Sequence, residues 1–461
     1  MKKTKFLSSL ALLAISACGL AGCGSSGNKV TIWVGNESAE FYTKVAQEFI
    51  DSQEKGSPYS KFKVKVVGTD TGSAAGTITQ DKESAADIYT VAHDNIGKLA
   101  QQQCARPITD ESLIKQVQDD NPSAYSEVIH YTIDGTEYLF GVPYISQALF
   151  LYYRKDLVTE EQAKTFEGLQ AAAKANSATT KAVSVVGTDG FNFSFTVLAR
   201  NANTGETSVK IYEDTKRTAC EFQGDDAIAN TKWAQRMYAD PNGLSFPSSW
   251  ALDLQQGKAI SVIGGAWHFN AFKDAVSESK MGITVIPTWT LTDADVEGTT
   301  IPSGTVMQGG TFADCKVFMI NSSIKSSKYD FAQALIKYVS SKSVQNRSFL
   351  ECRNVPAYKG AADNIKTMYE NKEISESTYA LAAAQIKMAE YGIAQPFVTA
   401  TLNTFFYSKN APELLKNTII NDKDAYGTTQ KVRETHYTMQ YIWVNGKTPD
   451  SIPSTLPSPV I

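Results

Sequence analysis

Short apolar stretches that predict strands alternate along this chain with longer stretches that predict amphipathic helices. Residues 62–66 alternate between apolar and charged side chains with a period of two, as a strand with one exposed face does. Residues 38–53 carry apolar side chains at helical spacing. The alternation returns beyond residue 149, with further helices predicted at residues 227–238, 328–341 and 375–390. Strands and helices in this order predict an α/β fold with parallel sheets.

Three further stretches predict how these elements begin and end. Residues 288–311 are rich in Thr, Asp and Gly and predict a long loop. Gly392 follows the helix at 375–390 and predicts its C-terminal cap. Residues 448–461 are rich in proline and predict a tail that is extended or disordered.

The amino terminus has the layout of an export signal. Three lysines precede an apolar run at residues 6–15, and small residues follow it. The tetrad Leu20-Ala21-Gly22-Cys23 is the bacterial lipobox pattern, which predicts cleavage before Cys23 and lipid on its sulfur and amine. A plain membrane-spanning anchor is the alternative, but the run is broken by serines and is short for a bilayer core that needs about 20 apolar residues. We therefore predict a signal peptide at 1–22 and a small, polar tether at 23–29.

Length and charge restrict the class of protein. Without its signal the chain would have 461 − 22 = 439 residues, which is too long for one compact core and suits two domains. The net charge is −4, and lysine and arginine form no cluster. Nucleic acid and an anionic membrane surface are therefore poor partners. Beyond Gly27 no apolar stretch is long enough to span a bilayer, so a lipid would be the only attachment to the membrane.

The remaining cysteines leave their pairing open. An exported protein can form disulfides, and four cysteines allow three pairings. No pair has the CxxC spacing of redox or zinc sites, and we predict no cofactor. The four are Cys104, Cys220, Cys315 and Cys352.

Familiar catalytic motifs are missing from the sequence. It contains no G-x-S-x-G elbow, no phosphate-binding P-loop and no H-E-x-x-H metal motif, and its four histidines are far apart. We therefore predict that the chain is not an enzyme. Paired carboxylates for glycoside hydrolysis depend on the fold rather than on spacing, so a secreted, lipid-anchored glycoside hydrolase remains an alternative.

Five segments follow one another in an order that resembles a known family. They lie at residues 92–101, at 143–156, at 257–267, at 281–287 with Gly309-Gly310, and at Gln395-Pro396 followed by Phe405-Phe406-Tyr407. Together they resemble the maltose/maltodextrin-binding proteins, which are the extracellular solute-binding proteins of carbohydrate ABC importers. The resemblance covers most of the chain after residue 30.

This resemblance implies a two-lobed, periplasmic-binding-protein-like α/β fold with a hinge and a ligand cleft between the lobes. The N-lobe would comprise residues 30–144 and 318–372, and the C-lobe residues 145–317 and 373–447. The chain would cross the hinge near residues 145–150, 312–317 and 370–378. Ligand would favour the closed state because both lobes contact it there.

The resemblance also implies which residues bind sugar. Aromatic rings would cover the apolar face of a pyranose, while carboxylates and amides would bind its hydroxyl rim. Phe406 stands where the family has Trp, Gln147 where it has Glu, and Val91 where it has Trp, so the sugar's identity and length stay open. His93 and His268 are expected to be structural. The implied ligand-binding residues are Trp267, Phe406, Tyr407, Asp94, Gln147, Glu37, Ser38, Phe191, Asn192 and Phe193.

The function implied is that of a monomeric, lipid-anchored receptor on the extracytoplasmic face of the bacterial membrane. It would capture a maltose- or maltodextrin-like oligosaccharide and deliver it to the permease subunits of an ABC importer. Binding of a different sugar is an alternative within the same class. The glycoside hydrolase is the alternative from another class.

Overall fold

The computed structural model describes residues 28–126, 128–185, 192, 194–211, 220–396, 405, 411–421 and 429–457. Its strands are β1 (Lys29–Gly35), β2 (Lys63–Thr69), β3 (Ile88–Ala92), β4 (Ala105–Arg106), β5 (His130–Ile133), β6 (Thr136–Leu139), β7 (Val142–Gln147), β8 (Phe150–Arg154), β9 (Val183–Val185), β10 (Arg200–Asn201), β11 (Lys210–Ile211), β12 (Cys220–Glu221), β13 (Leu244–Ser245), β14 (Ser261–Gly264), β15 (Met281–Thr284), β16 (Thr288–Thr290), β17 (Val306–Gln308), β18 (Phe312–Asn321) and β19 (Ile393–Ala394).

Helices follow or separate most of these strands. They are α1 (Ala39–Asp51), α2 (Thr71–Gln80), α3 (Ile96–Gln101), α4 (Glu111–Asp120), α5 (Ser123–Ser126), α6 (Phe166–Asn176), α7 (Ser194–Val197), α8 (Asp225–Ala239), α9 (Trp250–Gln255), α10 (Phe269–Val276), α11 (Asp293–Val296), α12 (Ser326–Val339), α13 (Lys342–Cys352), α14 (Ala361–Glu370), α15 (Glu376–Tyr391), α16 (Ala411–Asn421) and α17 (Thr429–Asn445).

The first sheet is built mainly from residues near the amino terminus. Its strand order is β19-β18-β3-β1-β2, and β4 and β7 also pair with β18. The strands β1, β2 and β3 are parallel, as the alternation of strands and helices predicts, whereas β18 runs antiparallel to β3. Val30, Ile32 and Val34 of β1 are fully buried, so one side of this strand forms part of the first core.

The second sheet has the order β13-β9-β14-β8-β15. The strands β13, β9 and β14 are parallel, and β8 runs antiparallel to both β14 and β15. The chain passes from the first sheet to the second between the end of β7 at Gln147 and the start of β8 at Phe150. It returns between β17, which pairs with β10 and β16 in a small separate sheet, and the long strand β18, which pairs with β7. These two passages lie side by side, and the chain crosses again between α13 and α14 and at β19, which pairs with β18.

Each sheet has its own hydrophobic core. The first core combines residues from β1–β7 with residues from β18 and α12, and the second combines β8, β9 and β14–β16 with α6, α8 and α15–α17. In α14, Ile365 and Met368 pack into the second core, whereas the predicted division kept residues up to 372 in the N-lobe. We use the terms first lobe and second lobe for the two sheets with their cores.

The region predicted as a loop at 288–311 contains β16, α11 and β17, so that prediction was wrong. The segment is ordered into strands because Trp289 is fully buried in the second core, where it donates its indole N–H to Asn230 Oδ1 at 3.1 Å. Gly392 follows α15 as predicted, but its φ of −86° is not the left-handed cap conformation. Glycine is required there because a Cβ atom would lie 2.8 Å from the carbonyl oxygen of Thr311.

All four cysteines within the described ranges are free thiols. Burial raises the pKa of Cys104, Cys220, Cys315 and Cys352, which keeps these thiols protonated near neutral pH. Among the residues described, no helix combines the length and the apolar character needed to cross a bilayer.

Trp233 lies at the centre of the second core and provides a test of it. Its ring stacks on that of Trp289 with centroids 4.2 Å apart and meets Phe166 edge-on. Because the site cannot collapse onto a missing indole, Trp233→Ala should lower the free energy of unfolding by about 3–5 kcal/mol. Urea denaturation followed by circular dichroism measures this. Leu252→Ala, at a residue that is 47% exposed, is the matched control and should change stability by about 0.5 kcal/mol or less.

Candidate functional site

The carboxyl ends of the parallel strands define the candidate site on the first lobe. In open α/β sheets, ligands bind in the crevice outside these ends. Here β1 ends at Gly35 and is followed by Glu37 and Ser38, while β3 ends at Ala92 and is followed by Asp94. We call this side of the first sheet the first-lobe edge.

Strand register brings Gln147 to the same edge. Because β18 is antiparallel to β3, its early residues lie beside the carboxyl end of β3, and Lys316 pairs with Ala92. Two residues earlier on β18, Asp314 pairs with Gln147 of β7. Three implied ligand-binding residues therefore share one edge: Glu37 and Asp94, which follow β1 and β3, and Gln147, which ends β7.

Asp94 is a buried acid in this group. It is 3% exposed, and its carboxylate accepts hydrogen bonds from Asn95 Nδ2 at 2.9 Å and from Gln395 Nε2 at 3.3 Å. Burial, together with the nearby carboxylate of Asp314, raises the pKa of Asp94 to about 7. At neutral pH this carboxyl group can therefore both accept and donate hydrogen bonds.

His93 connects the surroundings of Asp94 to β18. Its Nδ1 contacts the carboxylate of Asp314, and its Nε2 lies 2.8 Å from the carbonyl oxygen of Gln395. Burial alone would lower the pKa of His93, but the Asp314 carboxylate outweighs it and raises that pKa well above its ordinary value. His93 is thus a positively charged structural link between β3, β18 and the chain at Gln395, in agreement with the structural role predicted for it.

Glu37 and Ser38 differ in what they can offer a ligand. The Glu37 side chain is 49% exposed and lies 3.6 Å from Lys316 Nζ. Ser38 is 2% exposed, and its hydroxyl accepts a hydrogen bond from Asn354 Nδ2 at 2.9 Å. Ser38 therefore holds neighbouring chain in place, whereas Glu37 is accessible from solvent.

On the second lobe, Trp267 follows the carboxyl end of β14. Its side chain is among the few large hydrophobic ones that are exposed, at 42%. A Cβ atom on Gly265 would lie 2.2 Å from the indole, so glycine is needed for the ring to lie against the backbone. Tyr152 fixes this turn by donating its hydroxyl to the carbonyl oxygen of Gly265 at 2.9 Å. The turn presents a flat aromatic face at what we call the second-lobe edge.

Sequence reasoning missed one aromatic side chain near Trp267, that of Trp250. Trp250, the first residue of α9, meets the His268 ring edge-on at 5.3 Å, and Trp267 lies 5.5 Å from the same ring. Burial lowers the pKa of His268 to about 4, so it is neutral at physiological pH. The short connection from β13 to Trp250 could have indicated this position, since it also leaves the carboxyl end of a parallel strand.

The other implied site residues are described only in part. Asn192 is half-buried. Phe405 is buried against Phe222 and Trp443, so the start of the C-terminal aromatic segment is anchored in the second core. Within the described ranges, no group of three His, Cys, Asp or Glu side chains could hold a metal ion. Implied residues outside those ranges are Phe191, Phe193, Phe406, Tyr407 and the lipidation residue Cys23.

Two lobes connected by paired strands, with a polar edge on one lobe and an aromatic edge on the other, define a two-lobed binding protein. The chain belongs to the bacterial extracellular solute-binding protein family, whose model matches residues 46–376. This confirms the predicted class. Members of this family are binding proteins, so the chain is not an enzyme, as predicted, and the glycoside hydrolase alternative is excluded.

Curated relatives are similar over most of their length. A maltooligosaccharide ABC transporter solute-binding lipoprotein of Streptococcus pneumoniae is 24% identical over 77% of this chain and 81% of its own. A galactooligosaccharide-binding protein of Bacillus subtilis is 23% identical over 80% of this chain and 84% of its own.

Solved structures confirm the two-lobed fold. A maltodextrin binding protein from L. casei BL23 without ligand matches with a TM-score of 0.70 and 20% identity, covering 90% of this chain and 99% of that one. A Streptococcus pneumoniae protein in complex with maltopentaose matches with a TM-score of 0.65 and 18% identity, covering 89% and 98%.

The raised pKa of Asp94 predicts a pH dependence of stability. Its ordinary pKa is 3.8, so between pH 3.8 and about 7 the folded protein holds a proton that the unfolded chain has released. Stability falls with rising pH where the folded state binds more protons. The stability difference between wild type and Asp94→Asn should therefore fall as pH rises through this window and level off above it. Denaturant unfolding at intervals of half a pH unit measures it, and a difference that is constant or rises would contradict the assignment.

Proposed function

We propose that this protein is a monomeric, lipid-anchored receptor that captures a maltodextrin-like oligosaccharide by lobe closure and delivers it to an ABC importer. The observation that carries the proposal is the exposed indole of Trp267 on one lobe, paired with a polar edge on the other. Relatives named for maltooligosaccharide and maltodextrin support the ligand class. Related structures in complex with maltose and maltopentaose support it as well.

Sugar chemistry explains why two unlike edges would be used. A pyranose has an apolar face, which a flat aromatic ring covers, and a rim of hydroxyls, which carboxylates and amides bind. In this proposal Trp267, with Phe406 and Tyr407, covers ring faces. Asp94, Gln147 and Glu37 bind the rim, and Phe191, Asn192 and Phe193 line the second-lobe side.

The charge at the first-lobe edge favours an uncharged ligand. Glu37 is balanced by Lys316, and Asp314 by the protonated His93. Asp94 is partly neutral at physiological pH because its pKa is raised to about 7. An edge whose charges nearly cancel gives no general attraction for an anionic or a cationic solute, but it still offers many hydrogen-bonding groups.

Closure would follow from the way the lobes are connected. The passages from β7 to β8 and from β17 to β18 are short, and a rotation at a few backbone positions there would move one lobe as a rigid body. We propose the N-lobe and C-lobe division predicted from the sequence, with the difference that α14 packs with the C-lobe. A ligand shifts the balance towards closure only if it binds the closed state more tightly, and that requires contacts from both lobes.

A different oligosaccharide is the second candidate ligand. The galactooligosaccharide-binding relative is 23% identical to this chain, against 24% for the maltooligosaccharide-binding one, so identity does not separate them. The replacement of a family tryptophan by Val91, which is fully buried, removes one ring platform and changes which sugars fit.

Trp267→Ala tests the sugar-binding role directly. Loss of one stacking face should weaken binding of the best maltodextrin by roughly 1–3 kcal/mol, the scale for burying a large apolar side chain. Because the indole is 42% exposed, unfolding without ligand should change by less than about 1 kcal/mol. Calorimetric titration with maltose to maltopentaose measures the affinity, and chromatography of the mixture checks that no sugar is cleaved.

Tyr369→Ala is the matched control for this variant. Tyr369 is a 37%-exposed aromatic residue on α14 whose ring stacks on that of Tyr379 of α15; it follows no strand end, so its loss should leave affinity unchanged. If Trp267→Ala binds as well as wild type, or melts far below it without ligand, the indole belongs to the packing of the second lobe and not to the sugar site.

Lipid attachment at Cys23 is the second part of the proposal. The lipobox supports it, and so does the lipoprotein named among the relatives. Stable anchoring by lipid requires more than one acyl chain, which modification at both sulfur and amine of one cysteine would provide.

Cys23→Ser tests this anchor. In a bacterial host that processes lipoproteins, the variant should move from the membrane fraction to the soluble fraction, because the sulfur that carries lipid is gone. Fractionation and mass spectrometry of the N-terminal peptide measure this. Cys18→Ser, which changes a cysteine within the predicted signal, should leave the protein in the membrane fraction. Retention of the Cys23→Ser variant in that fraction would contradict lipid anchoring.

A further inference from the structure

Lys316 occupies an unusual place for a lysine. It lies within β18, where the adjacent residues Cys315 and Val317 are both fully buried. Its strand partners are Ala92, the last residue of β3, and Ile145 of β7. Lys316 is therefore at the first-lobe edge, beside the residue that leads into the Asp94 turn and close to the passage between the lobes.

The ammonium group of Lys316 is mostly withdrawn from water but is not satisfied by the protein. Its side chain is 12% exposed, and its nearest acid is Glu37, 3.6 Å away. Among the described residues its Nζ makes that ion pair and no hydrogen bond. An ammonium group has three N–H donors, and removing them from water without hydrogen-bond partners costs free energy. Donors left open in this way at a ligand crevice are available to a ligand.

A second lysine in the same lobe is equally buried but has hydrogen-bond partners for its ammonium group. Lys328 is also 12% exposed, and its ion-pair partner is Asp87, which directly precedes β3. Its Nζ donates to both oxygens of that carboxylate, at 3.1 and 3.3 Å. Lys328 therefore lies near the amino end of β3, at the opposite end of the strand from the first-lobe edge. Its ion pair with Asp87 explains why a lysine is buried there. Equal burial does not force a lysine of this lobe to keep open donors.

We propose that Lys316 and Glu37 together bind two neighbouring hydroxyls of one sugar ring. The ammonium donates to one hydroxyl oxygen, and the half-exposed carboxylate accepts from the other hydroxyl. A donor and an acceptor 3.6 Å apart match such a pair, since each hydroxyl can both donate and accept. This inference rests on the proposed function and deepens it: the ligand is an uncharged saccharide, and Lys316 is a residue that determines its specificity.

The alternative is that the Lys316–Glu37 pair only braces the fold. A pair with one half-exposed partner contributes little to stability, and 3.6 Å is longer than a direct hydrogen bond. Bracing would also affect stability more than affinity, so the two roles differ in a measurable way.

The test compares Lys316→Met with Lys328→Met in the full-length mature protein. Methionine keeps an unbranched apolar side chain of similar length and removes the donors in both variants. Calorimetric titrations use maltotriose, maltopentaose and a galactooligosaccharide, and thermal unfolding is measured without sugar. The Lys316→Met variant loses a charge-assisted hydrogen bond to the sugar. It should therefore bind whichever sugar wild type binds about tenfold to a hundredfold more weakly than wild type does. Lys328→Met should bind that sugar as wild type does.

The outcomes separate this inference from the function it rests on. If wild type binds a sugar and both variants bind it equally well, Lys316 has no role in binding and only the inference fails. The inference also fails if both variants lose affinity together, because the effect then comes from the stability of the lobe. If wild type binds none of the sugars, the proposed function fails and the inference fails with it. Selective loss in Lys316→Met, without a matching fall in melting temperature, supports it.

Discussion

The antiparallel pairing of β18 with β3 and β7 is the constraint on which the candidate site depends. One strand of ten residues contributes to the first sheet, follows the passage from the second sheet and sets the register of its two neighbours. That register places Lys316 beside Ala92 and Asp314 beside Gln147. A shift of one residue would turn every side chain of β18 to the opposite face. The polar residues of the first-lobe edge, which β18, β3 and β7 bring together from distant parts of the chain, would then separate.

Burying the charged side chains of His93 and Asp314 costs free energy, and their contacts offset that cost. Burying charges is unfavourable unless they are paired and hydrogen-bonded. His93 meets this requirement by contacting Asp314 and the carbonyl oxygen of Gln395, and so joins three separate parts of the chain. Asp94, next along the chain, keeps a raised pKa because burial and the Asp314 carboxylate together outweigh the nearby positive charge of His93. The same arrangement links β3 to β18 and leaves beside it a carboxyl group that can bind hydroxyls.

The periodicity of apolar residues was enough to predict most of the helices and strands. The site could not be predicted in this way, because it depends on the register between strands that are distant in sequence. The helical stripe at 328–341 corresponds to α12, and the alternation at 62–66 to β2. The prediction of a loop at 288–311 was wrong because it followed the Thr and Gly content of the segment. It gave no weight to Trp289, which is buried in the second core and holds β16 there. Trp267 could be singled out from the glycines that precede it. Lys316 could not be singled out from the sequence, because it is a lysine within an apolar run. Only its strand partners show that it lies at the first-lobe edge.

The unlike chemistry of the two edges has a consequence for how closure would be coupled to binding. Trp267 on the second lobe offers apolar area, and the groups on the first lobe offer hydrogen bonds. A sugar bound to either lobe alone would leave its other side in water and gain only part of the available free energy. A solute with only an apolar face, or only a polar rim, would likewise gain little from the second lobe. Since a conformational equilibrium shifts only by the difference in affinity between its states, such a solute would leave the protein open. Selectivity for saccharides and selectivity for the closed state would then have one physical origin.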